Sequence, residues 1–445
     1  MSKHTPDLTN LRRRDLLKLG LGAAAATPLL GLAGNASANS ISTNAHIVIS
    51  GAGAGGTAMA NRLSRSLKGA RITVIDSREE HHYQPGWTLV ASGVWNKNQT
   101  ISKTAEWLPG SVNWVRALVT EYDPENNQVR LNNGDSIQYD YLIVACGVEL
   151  QYDKIEGMDV NLIGQGKGVG SVYASIDAAD KTNQEIERFL AKRQGTGVFT
   201  LAPTAIKCAG APLKMTFTTL SRMEDAGIRD AFDMHFFTPT NRVFSVDYYN
   251  DFVKARWEEQ GLTRHDFHTL VALDADRREA TFRLQDGEEV KQDYDFIHVV
   301  PHMAAPKAVR ESELIFKDGP FAGNWMEVDR ETLQHPVYKN VFGIGDVMGM
   351  PFNKTAASVK KQATVLEPNL IAQIQGKPLP EKHNGYTSCP MITAVGKAML
   401  VEFGWNAELL PSFSFIDPKE ESWAVWVMKD KMLQPAYYAM LEGKI

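Results

Sequence analysis

His46-Ile47-Val48-Ile49-Ser50-Gly51-Ala52-Gly53-Ala54-Gly55-Gly56 decides how this chain folds. A short apolar run feeds a glycine turn, and Thr57 to Leu67 then reads as a helix whose first N–H groups point back at the turn. In such a turn Gly51 permits the tight bend, Gly53 lets the backbone approach a pyrophosphate, and Gly56 lets helix and strand pack closely. Arg71 to Ile75 reads as a second strand, and Asp76 follows Gly56 by 20 positions, where a carboxylate accepts ribose hydroxyls. Strand, glycines, helix, strand and acid in that order predict an α/β dinucleotide-binding domain.

Working outward, the 445 residues exceed what one hydrophobic core normally serves, so more than one domain is expected. A net charge of −5 without a basic block argues against nucleic acid as a partner. Three cysteines, Cys146, Cys208 and Cys389, are too few for a disulfide scaffold, and no metal site is expected. Upstream, Arg13-Arg14-Asp15-Leu16-Leu17-Lys18, the apolar Leu19 to Ala33 and the small-residue Ala36-Ser37-Ala38 read as a twin-arginine export signal over residues 1–38. The apolar run is short of the roughly 20 residues a membrane span requires. The mature protein is therefore expected in the periplasm, where nicotinamide cofactors are not expected and thiols tend toward disulfides.

The flavin-binding part is expected over 39–150 and again over 296–385, with a second Rossmann-like unit over 151–295 and a terminal region over 386–445. His81 to Val90 reads as a loop folded over something flat. Val112 to Val119 and Gln128 to Leu131 read as strands, with a hairpin at Asn132-Asn133-Gly134-Asp135. Tyr139 to Gly147 reads as a buried strand, and Cys146 stands where two-domain flavoproteins carry the threonine of Ala-Thr-Gly; it reads as a small buried filler. In the second unit, the strand Gly197 to Ala202 leads into Pro203-Thr204-Ala205-Ile206-Lys207-Cys208-Ala209-Gly210-Ala211-Pro212. A loop with proline at both ends cannot offer a row of free N–H groups, so a nicotinamide site is replaced there by one presenting Cys208. Ala231 to Phe237 and Phe267 to Leu273 read as strands around a helix at Tyr248 to Gln260, and Phe296 to Pro301 as the strand returning to the first domain. Val341 to Asp346 delivers an aspartate, and Lys354 to Ala357 opens a helix whose positive end suits a reduced flavin. The aromatic tail from Trp423 to Leu441 is expected to lie along a membrane face.

These pieces resemble the sulfide:quinone oxidoreductases, particularly the branch containing the mitochondrial enzyme. The resemblance runs from about His46 to the tail and is carried by His82 to Val90, Ile206 to Pro212, Phe342 to Asp346 and Gly385 to Pro390. It implies two Rossmann-like domains of the disulfide-reductase flavoprotein kind plus a membrane-facing C-terminal region. It also implies noncovalent FAD held by Gly51, Gly53, Gly56, Asp76, Gln84, Val119, Gly147, Asp346 and Lys354. Asp76 is shorter than the glutamate expected there. By the same resemblance Cys208 and Cys389 form the redox-active pair. Sulfide adds at Cys389, Cys208 passes two electrons to the flavin, an acceptor such as sulfite or a thiol removes the sulfane sulfur, and ubiquinone or another membrane quinone takes the electrons. The extra cysteine of another bacterial branch is absent from Val169 to Asp180.

Independently of the resemblance, sulfide is a soft nucleophile and a disulfide is its natural electrophile. Three other readings compete. A flavocytochrome c sulfide dehydrogenase flavoprotein subunit fixes its flavin through a cysteine near Tyr83 to Pro85, where this chain has Gln84 and Pro85. A type II NADH dehydrogenase requires the second fingerprint. A non-catalytic flavin-containing protein predicts that neither cysteine matters for flavin reduction.

Overall fold

The computed structural model describes residues 40–445; the paired arginines and the apolar run after them lie outside the described residues. The chain runs through His46–Ser50 (β1), Ala54–Ser66 (α1), Arg71–Ile75 (β2), Asn113–Val115 (β3) and Tyr141–Val144 (β4). It then passes through Val169–Gly170 (β5), Gly195–Thr200 (β6), Ala211–Asp225 (α2), Phe232–Thr238 (β7), Thr263–Asp266 (β8) and Phe296–His298 (β9). It returns as Val341–Gly343 (β10) and Ala356–Ile374 (α3), and finishes with a hairpin, Thr387–Ala394 (β11) and Lys397–Phe403 (β12), and two helices, Trp423–Val427 (α4) and Leu433–Leu441 (α5).

Two five-stranded sheets result, ordered β10-β4-β1-β2-β3 and β5-β9-β6-β7-β8, with every neighbouring pair parallel. β1 is buried at every residue, as a strand covered by helices on both faces must be. The glycine turn sits at the carboxyl end of β1, so α1 begins where the first sheet opens. β6 leads in the same way through the Cys208 loop into α2.

Several expectations needed correction. The return to the first domain comes later than residue 296: β9 lies between β5 and β6 in the second sheet. A fully buried run identifies an interior strand but not the sheet that receives it. The single strand expected from Val112 to Val119 is two, because a tight turn, Ala117 N–H to Val115 O at 2.9 Å, breaks it. Val119–Asp123 belongs instead to an antiparallel three-stranded sheet with Gln128–Leu131 and Ser136–Gln138, the latter two joined at the expected Asn-Gly hairpin. β8, Thr-Arg-His-Asp, carries no apolar residue and was not legible as a strand. The helix expected over 248–260 is present as Asp247–Glu259.

The tail is the largest departure. Its apolar residues Val425, Trp426, Met428, Tyr437, Met440 and Leu441 are buried against the protein rather than presented along one outer face. Tyr437 is hydrogen-bonded to His81 at 2.7 Å, Tyr438 stacks on Trp107 with centroids 4.4 Å apart, and Trp95 donates to Asp430 at 2.5 Å. Arg65 closes the end by donating to the carbonyls of Glu442 and Gly443. Aromatic pairing and burial therefore fasten the tail over the 81–107 segment. Among the described residues no helix is long and apolar enough to cross a membrane.

Candidate active site

The dinucleotide end is built by backbone. Gly51 has φ +108°, and a Cβ there would stand 2.6 Å from Ala145 O; one on Gly56 would stand 1.8 Å from Gly51 O. Gly53 caps α1 without a side-chain hydrogen bond, leaving the first-turn N–H groups without intrahelical partners. Asp76 accepts from Ala52 N at 2.7 Å, and from Arg78 through its backbone N at 2.9 Å, Nε at 3.1 Å and NH2 at 2.7 Å. Burial opposes the charge on Asp76, but the guanidinium and the N–H groups outweigh it and hold the carboxyl below its usual range. The acid expected to meet a ribose thus comes with an arginine, Arg78, that sequence reasoning missed.

Gly147, at φ +73°, has no atom within 4 Å of where a Cβ would be, and Gly53 has only the Arg78 guanidinium at 3.8 Å, so both border open space. Val119 opens the small antiparallel sheet. Gln84, in a single 3-10 turn, accepts from Lys207 Nζ at 2.9 Å. Asp346 follows β10, and among the described residues its carboxylate has no hydrogen-bond partner. Beside it Gln362 accepts from Gly345 N at 2.9 Å while its buried Nε2 is left without a partner. Lys354 is buried, donating to the carbonyls of Asp346 at 2.6 Å and Met348 at 2.7 Å, with Nζ 3.6 Å from the Trp325 ring centroid. Burial lowers Lys354 to about 7, against the pull of Asp346, and raises Asp346. Open glycines, an unpaired carboxylate and an orphaned amide fit a flavin dinucleotide.

The second centre joins residues 181 positions apart: Cys208 Sγ and Cys389 Sγ are 4.0 Å from each other, both as free thiols. Cys208 takes a left-handed conformation, φ +48°, at the end of its loop, where its N–H donates to Lys354 O at 2.9 Å and its carbonyl accepts from Ala211 N at 2.8 Å and the Tyr173 hydroxyl at 3.2 Å. Gly210 caps α2, and Pro212 stands in its first turn, where no N–H is missed. A Cβ on Gly210 would lie 2.6 Å from Cys389 Sγ, so glycine allows the two sulfurs to meet. β11 supplies Cys389, paired across the hairpin with Val401.

Helical side chains lean toward the N-terminus. Lys214, buried one turn into α2, accordingly reaches back to place Nζ 3.5 Å from Cys208 Sγ. The hydrogen bond from Cys389 is the strongest influence on Cys208 and, with the Lys214 charge, depresses it well below an ordinary thiol despite burial. The same bond, together with burial, raises Cys389. Burial weighs against the Lys214 charge, but the two sulfurs keep its pKa above the usual lysine value. Cys208 is therefore the more acidic thiol of the reduced pair.

The family model described as pyridine nucleotide-disulphide oxidoreductase matches residues 45–196. The mitochondrial sulfide:quinone oxidoreductase of Mus musculus is 33% identical over 397 residues, 89% of this chain and 86% of that protein. That of Dictyostelium discoideum is 36% identical over 401 residues, with the same coverage of both chains, 89% and 86%. The chain belongs to the sulfide:quinone oxidoreductase family. Its fold is also that of the crystal structure of the sulfide:quinone oxidoreductase from Aquifex aeolicus, with a TM-score of 0.75 over 90% of this chain and 92% of that one, at 19% identity.

Cys146 is half-buried, and burial pushes its thiol up to about 11, which keeps it neutral. His81 holds Tyr437, and His298 Nε2 accepts from Val172 N at 3.3 Å, so both are fixtures. Lys214, and Lys429 whose charge also lowers Cys208, were missed. Lys214 had a usable signal, lying six positions beyond Cys208 in an uncharged helical turn. Lys429 read only as part of the charged Lys429-Asp430-Lys431 interruption.

Proposed function

We propose that this protein oxidises sulfide through Cys208 and Cys389 and delivers two electrons to a membrane quinone. The observation that carries this reading is the paired sulfurs at 4.0 Å with Lys214 at 3.5 Å from Cys208, in the loop where a nicotinamide turn would stand. With the pair oxidised, hydrosulfide attacks the Cys389 sulfur. The Cys389–Cys208 bond breaks, Cys389 becomes a persulfide, and Cys208 leaves as a thiolate. That direction follows from the leaving-group rule, because the thiol of lower pKa departs more readily, and Lys214 Nζ, 3.5 Å from Cys208 Sγ, stands ready to receive a thiolate there. An acceptor such as sulfite or a thiol then takes the outer sulfur from Cys389.

A bound FAD supplies the two-electron relay between the pair and the quinone. The residues proposed to hold it are the Gly51, Gly53 and Gly56 turn, Asp76 with Arg78, Gln84, Val119, Gly147, Asp346 and Lys354. Lys354 Nζ, already fixed by two carbonyls, orients the Asp346 turn. Residues 1–38 are proposed to direct export to the periplasm, and the exposed Phe415 and Trp423, at 53% and 38%, to touch the membrane surface.

Anaerobic titration of the flavin absorbance tests the reading. Sulfide should bleach it, NADH should not, and decylubiquinone should restore it. Recovery with cytochrome c alone would assign the electrons to a flavocytochrome partner, and no bleaching by sulfide would refute the role of the pair.

A further inference from the structure

The two cysteines come from segments far apart in sequence, and a third segment touches both. It is the stretch from Phe352 to Ser358, which ends the connection from β10 and opens α3. On one side the Lys354 carbonyl accepts the N–H of Cys208 at 2.9 Å. On the other, the stretch is fastened to the hairpin that carries Cys389. The Phe352 ring meets Phe403 of β12 edge to face, with centroids 5.4 Å apart. The hydroxyls of Thr355 and Ser358 are hydrogen-bonded to that of Thr387, two residues before Cys389, at 3.2 and 2.8 Å.

Asn353 makes both attachments possible. It is buried and left-handed, with φ +81°, a conformation asparagine adopts more readily than most side chains. The reversal there turns its side chain toward the hairpin and the next carbonyl toward the Cys208 loop. Two backbone carbonyls orient the amide, Nδ2 facing Gly385 O at 3.2 Å and Tyr386 O at 3.0 Å, with His383 Nε2 at 3.0 Å. α2 also packs against β11, which brings the two cysteine segments into contact. Apolar packing is non-directional. Hydrogen bonds to the Cys208 N–H, and to Gly385, Tyr386 and Thr387, fix the register in which the two segments meet.

We propose that Asn353 is the positioning residue of the cysteine pair: it braces the Cys208 loop against the hairpin and so sets how readily the two thiols close into a disulfide. This rests on the reading of Cys208 and Cys389 as the redox pair. In closure each thiol gives up one proton and one electron and the S–S bond forms. The two electrons pass to an oxidant, in the test below the disulfide of glutathione, which becomes two thiols. Braced backbones leave the reduced pair few arrangements to lose on joining. Loosened ones leave more, and the disulfide becomes easier to reduce.

The test equilibrates holoprotein anaerobically with mixtures of glutathione and its disulfide, then quenches with iodoacetamide and reads the thiols of Cys208 and Cys389 by peptide mass. Asn353→Gly keeps the backbone conformation and removes the amide; Asn353→Asp keeps the shape and removes the donor. Each should lower the equilibrium constant for disulfide formation roughly 10-fold, about 30 mV toward easier reduction. Wild-type constants in both variants would overturn the proposal and leave the packing of α2 on β11 as sufficient. Val129→Ala opens a cavity in the small antiparallel sheet and should lower melting without moving the constant. An equal shift there would reduce the effect to general stability and also overturn the proposal. Should both asparagine variants fail to fold, Thr387→Val carries the test: a shift of roughly 3-fold in the same direction upholds the brace, and an unchanged constant contradicts it. If wild-type holoprotein keeps both thiols at every glutathione ratio, the redox pair itself is refuted and this inference with it.

Discussion

The two Rossmann-like units place the same device at equivalent points and load it with different chemistry. In the first, β1 runs into a turn of glycines, and the free end of α1 faces open space beside Asp76 and Arg78. In the second, β6 runs into a proline-bounded loop, and the end of α2 faces Cys208. Both helix ends favour negative charge. The first has been kept free of side chains, which suits a diphosphate; the second carries a thiol in a left-handed turn with a buried lysine behind it, which suits a thiolate. One helix terminus suits a cofactor cradle or a redox centre according to a few residues in the turn.

Removing sulfur from the second turn is the sharpest way to break this contrast. Cys208→Ser and Cys389→Ser should each abolish sulfide-driven flavin reduction while the flavin stays bound; normal reduction in either would contradict the division of roles. The reverse lesion, Gly56→Ala, places a methyl group 1.8 Å from Gly51 O. It should cost about 1–3 kcal/mol of local packing and shed flavin, while thiol counts at Cys208 and Cys389 remain as in wild type. Lys214→Met is gentler. The pH dependence of alkylation of reduced Cys208 should move toward higher pH, since the thiolate loses one of the groups that hold it below an ordinary thiol. Sulfide turnover should drop roughly 10- to 100-fold.

A smaller effect concerns both units together. His81, lowered by burial to about 4, and His298, lowered by burial to about 3, are neutral in the fold. The unfolded chain takes up their protons near 6.5, so this contribution to stability is complete above that pH. It is lost as pH falls from 6.5 toward 3–4, at about 1.4 kcal/mol per pH unit for each histidine at most. Urea midpoints should therefore decline as pH falls below 6.5. Least of all, Phe415→Ser with Trp423→Ser should weaken sedimentation with liposomes without touching flavin content.

The contrast between the two turns was legible because it lies in local chemistry: glycine spacing, Asp76 at the strand end, prolines flanking Cys208. The meeting of Cys208 with Cys389 was implied by family resemblance; no local pattern spans 181 positions. Arg78 escaped notice because its role depends on bending back onto Asp76, two residues away. The tail misled because aromatic and charged residues in alternation fit a membrane face and a protein face equally well. Only the partners Trp95, His81 and Trp107 decide which it covers. Lys429 was hidden by the same ambiguity, since a π turn rather than a helical period puts it inside.

The central claim is that the second turn carries sulfur chemistry with a fixed direction, and the identity of the sulfur adduct tests it most directly. Oxidised protein treated anaerobically with one equivalent of sulfide, alkylated and digested, should show one added sulfur atom on the Cys389 peptide and a freshly alkylated Cys208. Added sulfur on Cys208, or on neither cysteine, would contradict the account.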